Sequence, residues 1–123
     1  MNYKTHTDAV KDRLIPRTLT AAQMSSVYAN EADLLNVALF GTTAAQWRQH
    51  NPGQPGNMRD SATLEQLVVL SNLESINAVL IHQGVGSKDR LVQLNAIAIT
   101  QMRSLIGLDA LKQLAGTKKR IAK

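Results

Sequence analysis

Long segments with apolar residues at helical spacing alternate with short segments that hold the glycines and prolines of this 123-residue chain. The seven glycines and three prolines fall between these segments or at their ends, where they do not destabilise a helix interior. Apolar positions that recur three and four residues apart predict amphipathic α-helices. The pattern therefore predicts an all-α fold of about five to six helices, at residues 7–14, 21–39, 44–50, 64–83, 88–106 and 110–115.

Polar residues that cap helices mark the starts of several of these segments. Thr-x-x-Gln occurs three times, and in each copy the two side chains can bind one another's backbone N–H groups. We expect these capping boxes at Thr20–Gln23, Thr43–Gln46 and Thr63–Gln66, with further caps at Ser87 and Asp109. Left-handed glycines are expected just past helix ends, at Gly41, Gly84, Gly107 and Gly116.

The helices predicted at 64–83 and 88–106 are joined by a loop of about four residues, which makes them an antiparallel αα-hairpin. Segment 64–83 carries apolar residues around its whole circumference, which is typical of a helix buried on most sides. We therefore predict that 64–83 is the central buried helix of a single domain spanning 1–117. The alternative is that part of its surface forms a dimer interface.

Charged and amide side chains interrupt the apolar stripes of the predicted helices. Glu31 lies within the stripe of 21–39, and Glu74 and Asn77 lie among apolar positions of 64–83. A buried carboxylate without a partner is very costly, so these groups need a cation, and Arg59 is the nearest in sequence. We therefore predict a structural buried polar cluster in which Arg59→Ala costs several kcal/mol, formed by Glu31, Arg59, Glu74, Asn77 and Asn95.

The formal net charge of +5 is concentrated at the C-terminal end of the chain. We expect residues 118–123 to be a flexible basic tail, whose positive side chains are Lys118, Lys119, Arg120 and Lys123. The rest of the chain is close to neutral, so most of the positive charge lies on this tail and does not cover one face of the fold, as tight nucleic-acid binding would require. The tail itself can contact phosphates weakly and without sequence preference.

No residue pattern in the chain indicates catalysis or a bound cofactor. Cysteine is absent, which excludes disulfides, thiolate metal sites and cysteine nucleophiles. The chain also lacks the Glu-x-x-His pattern of bundle metal sites, the Gly-x-Ser-x-Gly nucleophile elbow and a complete dinucleotide-binding motif. No apolar run approaches the ~18 residues of a membrane span. We expect a cytoplasmic protein that is not an enzyme and binds no cofactor, metal or membrane.

Three side chains are candidates for contact with a protein partner. Trp47, on the short helix 44–50, is large enough to anchor an interface, and Arg48 lies beside it. A tryptophan on such a helix also packs against the core of its own chain, and that alternative stays open. Ile97 falls outside the apolar stripe of 88–106, and together with the apolar circumference of 64–83 it favours a homodimer over a monomer.

Five strings of residues carry a resemblance to a known family: NYKTHTDAVKDRLIP (2–16), VYANEADLLNVALFG (27–41), AAQWRQHNP (44–52), GNMRDSATLEQLVVLSNLESINAVLIHQG (56–84) and RLVQLNAIAITQM (90–102). In this order they resemble the C-terminal region of KilA-N domain proteins, which belong to phages, prophages and large DNA viruses. The resemblance covers nearly all of residues 2–105 and departs after them. The family's DNA-binding KilA-N domain precedes this region, and the chain begins just after it. The resemblance therefore implies a phage-derived helical module, and it transfers neither sequence-specific DNA reading nor catalytic residues to this chain.

These features together predict a non-enzymatic protein-binding module that acts in the cytoplasm of a bacterial host cell. It would dimerise a DNA-binding protein, or bind a host or phage complex, for example as an inhibitor of a bacterial defence system of the anti-CRISPR kind. The alternative is an accessory nucleic-acid binder in phage transcription control that uses the basic tail. An enzyme built on Glu31 and Glu74 is a third hypothesis, for which no substrate is indicated.

Overall fold

The computed structural model describes the backbone of residues 13–25 and 30–121 and the side chains of residues 13–25 and 30–108. The described chain forms helices and turns with no β-strand, so the fold is all-α, as predicted. The helices are α1 (Ala21–Ser25), α2 (Glu31–Phe40), α3 (Ala44–His50), α4 (Leu64–His82) and α5 (Ser87–Ile121), with a 3-10 turn at Met58–Ser61. The helix predicted at 7–14 lies outside the described residues except for its last two, which form a turn.

The predicted caps account for most of the helix ends. All three Thr-x-x-Gln capping boxes form, with the threonine hydroxyl 3.2 Å from the glutamine backbone nitrogen in each. The reciprocal bonds from the threonine N–H to the glutamine side-chain oxygen measure 2.8–3.0 Å. Gly41 and Gly84 follow the ends of α2 and α4 with left-handed φ angles of 73° and 77°, as predicted.

The single helix predicted at 21–39 is interrupted. α1 ends at Ser25, and α2 begins only at Glu31, after an extended Asn30 with φ −103° and ψ 116°. The Asn30 side chain accepts hydrogen bonds from the N–H groups of Ala32 and Asp33. Asparagine is among the strongest N-cap residues, so a new helix start is favoured here over continuation of the first helix.

α5 is longer than predicted, because it continues without a break from Ser87 to Ile121. The predicted helix ends at Gly107 and Gly116 and the predicted cap at Asp109 are therefore wrong. A glycine costs a helix interior only about 1 kcal/mol, and the leucine, alanine, lysine and glutamine residues around it favour the helix. The backbone is also helical at residues 118–121, where we expected a flexible tail, and Ser87 is the first helical residue rather than a cap.

The central helix of the domain is α2, and not α4. All six α2 side chains from Leu34 to Leu39 are buried, so this short helix is covered on every side. α5 packs against both α2 and α4 and contributes several fully buried side chains to the core they share. α4 packs against α5 as predicted, but it buries only Val69, Leu70, Leu73 and Asn77. The prediction that 64–83 is buried on most sides is wrong.

Candidate protein-binding face of helix α4

Helix α4 exposes a surface along its whole length that contains no aspartate, glutamate, lysine or arginine. At about 100° per residue, eight exposed side chains fall within roughly a third of the helix circumference. We call this set the α4 face: Leu64, Leu67, Val68, Ser71, Ser75, Ala78, Val79 and His82. Its large apolar members are 41–74% exposed, and Ile81 at its edge is 46% exposed. Such a row is a candidate interaction site, whereas single exposed apolar side chains are normal on a protein surface.

The α4 face is held in place by the opposite side of the same helix. Val69, Leu70 and Leu73 are at most 3% exposed and fix α4 against the core. The helix begins in the Thr63 capping box, and it ends where the Gly84 and Val85 N–H groups bind the carbonyl oxygens of Ile81 and Leu80. A surface on such a helix is already ordered before any partner arrives, which lowers the entropic cost of binding.

Polar pairs border the α4 face on both sides. On one side, Arg59 Nη1 lies 3.4 Å from Glu74 Oε1, and both side chains are exposed. On the other side, Asn72 Nδ2 donates to Gln101 Oε1 of α5 at 3.1 Å. Within the face, the Ser75 hydroxyl donates to the Ser71 carbonyl oxygen at 3.4 Å. An uncharged centre with a polar rim is the usual anatomy of a protein–protein interface.

The five residues predicted as one buried polar cluster do not come together. Arg59 and Glu74 form the exposed pair beside the α4 face, with side chains 40% and 48% exposed. Glu31 lies in the first turn of α2 with its side chain 46% exposed, because the helix starts there instead of continuing from Ala21. Asn77 and Asn95 are buried, but they have different partners. The prediction that these five residues form a single buried cluster is therefore wrong.

The cation that joins the helices is Arg90 of α5, which our sequence analysis missed. Its Nη1 lies 2.5 and 2.8 Å from the two Glu31 carboxylate oxygens and 2.9 Å from Asn77 Oδ1. Its Nε donates to the Val85 carbonyl oxygen at 3.0 Å. Arg90 is four residues before Leu94, so it lies on the buried stripe of its helix, and that spacing was the signal available in the sequence.

The Arg90 network links α2, α4 and the loop before α5 into one unit. The Arg90 side chain is only 9% exposed, and its charge is matched by a carboxylate that still reaches solvent. Glu31 and Glu74, the carboxylates of the enzyme hypothesis, are bound to different arginines. The arrangement is that of a structural ion pair, and it does not bring the two carboxylates to one site.

Asn95 has a separate structural role at the other end of α2. Its Nδ2 donates to the Ala38 carbonyl oxygen at 3.0 Å and to the Arg17 carbonyl oxygen at 3.3 Å. Its Oδ1 accepts from the Leu19 N–H at 3.3 Å. One buried amide of α5 therefore ties the chain before α1 to the central helix.

Trp47 and Arg48 organise the loop that follows α3. The Arg48 guanidinium lies 4.9 Å from the centroid of the half-buried Trp47 ring. The same guanidinium donates to the carbonyl oxygens of Asn51, Gln54 and Gly56. Although Arg48 is exposed, its hydrogen-bonding groups are committed to this loop, which favours a structural role over partner binding.

Two further sequence predictions have different outcomes. Ile97 is half-buried and packs against the core, so the reason for predicting it as an interface residue is wrong. Lys118, Lys119 and Arg120 lie in the last turns of α5, whereas Lys123 lies outside the described residues.

Among the described residues, no three histidine, aspartate or glutamate side chains are grouped closely enough to hold a metal ion.

α4 is the one described helix that is long and apolar enough to cross a membrane by length and composition alone, which the sequence analysis did not anticipate. The core helix of a soluble protein passes the same test. Glu65 and Glu74 lie within this stretch, and carboxylates are costly in a bilayer. The buried side of α4 is also occupied by its contact with the core.

Comparison of this chain with models of protein families, with curated proteins and with solved structures found no match.

Proposed function

We propose that this chain is a non-enzymatic protein-binding module whose contact surface is the α4 face. The observation that carries the proposal is the row of exposed apolar side chains on a helix fixed by its buried side. Aligned exposed apolar residues lower the solubility of the chain and do not add to its stability. A partner that covers them explains why they are present. The polar pairs of Arg59 with Glu74 and of Asn72 with Gln101 supply a rim for such a contact.

The size of the α4 face sets the strength expected of the contact. Full burial of a valine or leucine side chain contributes about 1.5–3 kcal/mol. The five large apolar side chains of the face and its edge are roughly half exposed, so covering them contributes on the order of 5 kcal/mol. A similar apolar surface on the partner contributes about as much again, against an association cost of about 4–15 kcal/mol. The balance leaves at most about 6 kcal/mol, so we expect dissociation constants of tens of micromolar or weaker.

The resemblance to the C-terminal region of KilA-N proteins supports a phage origin and a bacterial cytoplasm as the place of action. In that setting the module either dimerises a DNA-binding protein or occupies the surface of a host complex. Inhibition of a bacterial defence system of the anti-CRISPR kind is the most concrete form of the second case. Both cases need an ordered, uncharged contact surface, which the α4 face supplies.

Two valines of equal size and similar exposure provide a matched test. Val68 lies in the α4 face and is 43% exposed, whereas Val92 lies on α5 and is 51% exposed. Val92 precedes Gln101 by nine residues, which places it half a turn away from the side of α5 that meets α4. A glutamate at either position adds one negative charge to an exposed position of a helix. Only Val68→Glu places that charge in the proposed contact.

The experiment is capture of partners by the tagged chain from nuclease-treated lysate of bacteria that also express the untagged chain, read by quantitative mass spectrometry. Because the contact is weak, a chemical cross-linker fixes it before capture. We expect an enriched protein partner for the unmodified chain, at least tenfold less of it for Val68→Glu, and unchanged capture for Val92→Glu. Circular dichroism of each variant checks that the helices are intact. Equal loss in both variants, or no loss in either, contradicts the α4 face as the contact surface.

The continuous α5 helix favours one alternative function. Ile106 is the last buried residue of α5 in the part of the chain whose burial is described, and the helix continues for fifteen residues to Ile121. Lys118, Lys119 and Arg120 lie in this extension, so it could present positive charge to phosphates. That function predicts nucleic-acid affinity that falls steeply with salt and disappears when residues 118–123 are deleted. Affinity that survives the deletion contradicts it.

A further inference from the structure

We propose that the α4 face binds α4 of a second copy of this chain, with the two helices antiparallel across a two-fold axis. This inference rests on the proposed function, because it names the partner that covers the α4 face. Three observations carry it: the spacing of the face, the distribution of large and small residues, and the distribution of charge. The area available sets how strong the contact is.

The spacing of the face is that of a two-helix seam. The residues at its centre follow one another at intervals of four, three, four, three and four: Leu64, Val68, Ser71, Ser75, Ala78 and His82. This is the 3.5-residue repeat that keeps one side of a helix against a parallel or antiparallel partner helix. Leu67 and Val79 flank the seam, and all eight side chains are exposed.

Large and small residues are distributed so that the two halves of the face fit one another. The N-terminal half carries Leu64, Leu67 and Val68, whereas serine, alanine and valine dominate the centre and the C-terminal half. A two-fold axis at the level of Leu73 places Val68 of each copy on Ala78 of the other and brings the small residues Ser71 and Ser75 together at the centre. The opposed pairs are then Leu64–His82, Leu67–Val79, Val68–Ala78 and Ser71–Ser75.

The charges beside the face favour the antiparallel arrangement over the parallel one. Glu65 lies in the first turn of α4 and His82 in its last turn. Antiparallel packing keeps the Glu65 side chains of the two copies at opposite ends of the contact, each beside the polar His82 ring of the other copy, and it opposes the two helix dipoles. Parallel packing would place Glu65 beside Glu65 and Glu74 beside Glu74, and such like-charge contacts are unfavourable.

The area of the face predicts a weak and reversible dimer. A helix of 19 residues is about 28 Å long and about 10 Å wide, which gives a footprint of about 300 Å². A stable interface buries about 800 Å² on each partner. The dimer should therefore form and dissociate rapidly with concentration, and purified chain at low concentration should be monomeric.

The first test is sedimentation equilibrium of the purified full chain over a wide concentration range. We expect a monomer–dimer equilibrium whose dissociation constant rises at least tenfold in Val68→Glu and changes less than twofold in Val92→Glu. A chain that stays monomeric at the highest concentration overturns the inference. A dimer that is equally stable in Val68→Glu overturns it as well, because its contact then lies elsewhere.

The second test reads the orientation of the helices by disulfide formation. The chain has no cysteine, so Leu64→Cys and His82→Cys each introduce a single thiol with no background. The two positions lie at opposite ends of α4, about 27 Å apart. Because a disulfide needs two Cα atoms within about 7 Å, positions 64 and 82 of two copies can be joined only when the helices are antiparallel. When the two variants carry different tags and are mixed, we expect the disulfide between Leu64→Cys and His82→Cys. A product of Leu64→Cys with itself shows a parallel contact and overturns the inference.

The tests separate this inference from the proposed function. If the purified chain is monomeric while lysate capture is lost in Val68→Glu, a different protein covers the α4 face, so the inference fails and the proposed function stands. If phosphatidylglycerol vesicles bind the chain and Val68→Glu abolishes that binding while no dimer forms, a lipid surface covers the face. In that case both proposals fail.

Discussion

Helices α2 and α4 have similar apolar sequences and opposite surroundings. In the ten-residue α2, six consecutive side chains are buried, including Val37 and Ala38 at 0% exposure. In the nineteen-residue α4, four side chains are buried, and Leu64 is 74% exposed. The comparison teaches that apolar composition indicates that a helix will be covered, but it does not indicate whether its own chain or another molecule covers it.

The difference between the two helices follows from their neighbours. α2 is covered by α4 and α5, and Leu14, Leu19 and Met24, from the chain before and within α1, also pack against the core that it forms. α4 lies at the outside of its hairpin with α5, and no described segment covers the α4 face. A short helix can be enclosed by a chain of this size, whereas enclosing the longer one would need another layer of helices.

The largest expected effect compares a leucine from each helix. Leu34 of α2 is 1% exposed, so Leu34→Ala leaves a cavity and should lower the free energy of unfolding by about 2–5 kcal/mol. Leu64→Ala removes a side chain that is 74% exposed and should change it by less than about 0.5 kcal/mol. Urea denaturation followed by circular dichroism measures both. Similar losses in the two variants would break the contrast drawn between α2 and α4.

The next effect concerns the ion pair that joins the two helices. Arg90→Ala removes the cation shared by Glu31 and Asn77 and leaves a buried amide oxygen without its donor, so we expect a loss of about 2–3 kcal/mol. Part of that loss is relieved because Glu31 reaches solvent. Arg59→Ala breaks a pair that is about half exposed and should cost below about 1 kcal/mol.

The same urea titration distinguishes these two arginines. A loss from Arg59→Ala as large as that from Arg90→Ala would restore the buried role that the sequence suggested for Arg59. The comparison also sharpens the contrast between the helices, since Arg90 acts where α2 and α4 meet and Arg59 acts at the border of the α4 face.

The features that could be predicted from the sequence are those that a few neighbouring residues determine. The three Thr-x-x-Gln boxes and the left-handed glycines at 41 and 84 depend on hydrogen bonds within one turn, so their patterns are sufficient. The break before Glu31 had a local signal in Asn30, which the apolar periodicity on either side outweighed in our reading. At Gly107 the error was the opposite one: we predicted a helix end where the helix continues. A helix tolerates a glycine when the neighbouring residues favour the helix.

The features that could not be predicted depend on contacts far apart in sequence. Glu31 and Arg90 are separated by 59 positions, so proximity in sequence pointed to Arg59 instead. Whether α4 is enclosed depends on where every other helix lies. Ser71 and Ser75 did align on one side of its apolar circumference, and that alignment was the only local signal that this side faces outward.

The smallest expected effect compares the two glycines that end these helices. Gly41 and Gly84 both have φ near 75°, where a Cβ is strained, so replacement by alanine should cost each of them about 1 kcal/mol. At Gly41 the added Cβ would also lie 3.0 Å from Gln23 Nε2, which donates to the Gly41 carbonyl oxygen at 3.1 Å. At Gly84 nothing lies within 4 Å of the added atom.

Gly41→Ala should therefore be the more destabilising of the two, by a few tenths of a kcal/mol, because the end of α2 is enclosed and the end of α4 is open. Thermal unfolding of the two variants beside the unmodified chain resolves a difference of this size as a shift of about 1–3 °C. If Gly84→Ala proved the more destabilising, the end of α4 would be covered in solution, which is the result expected of a contact that extends past His82.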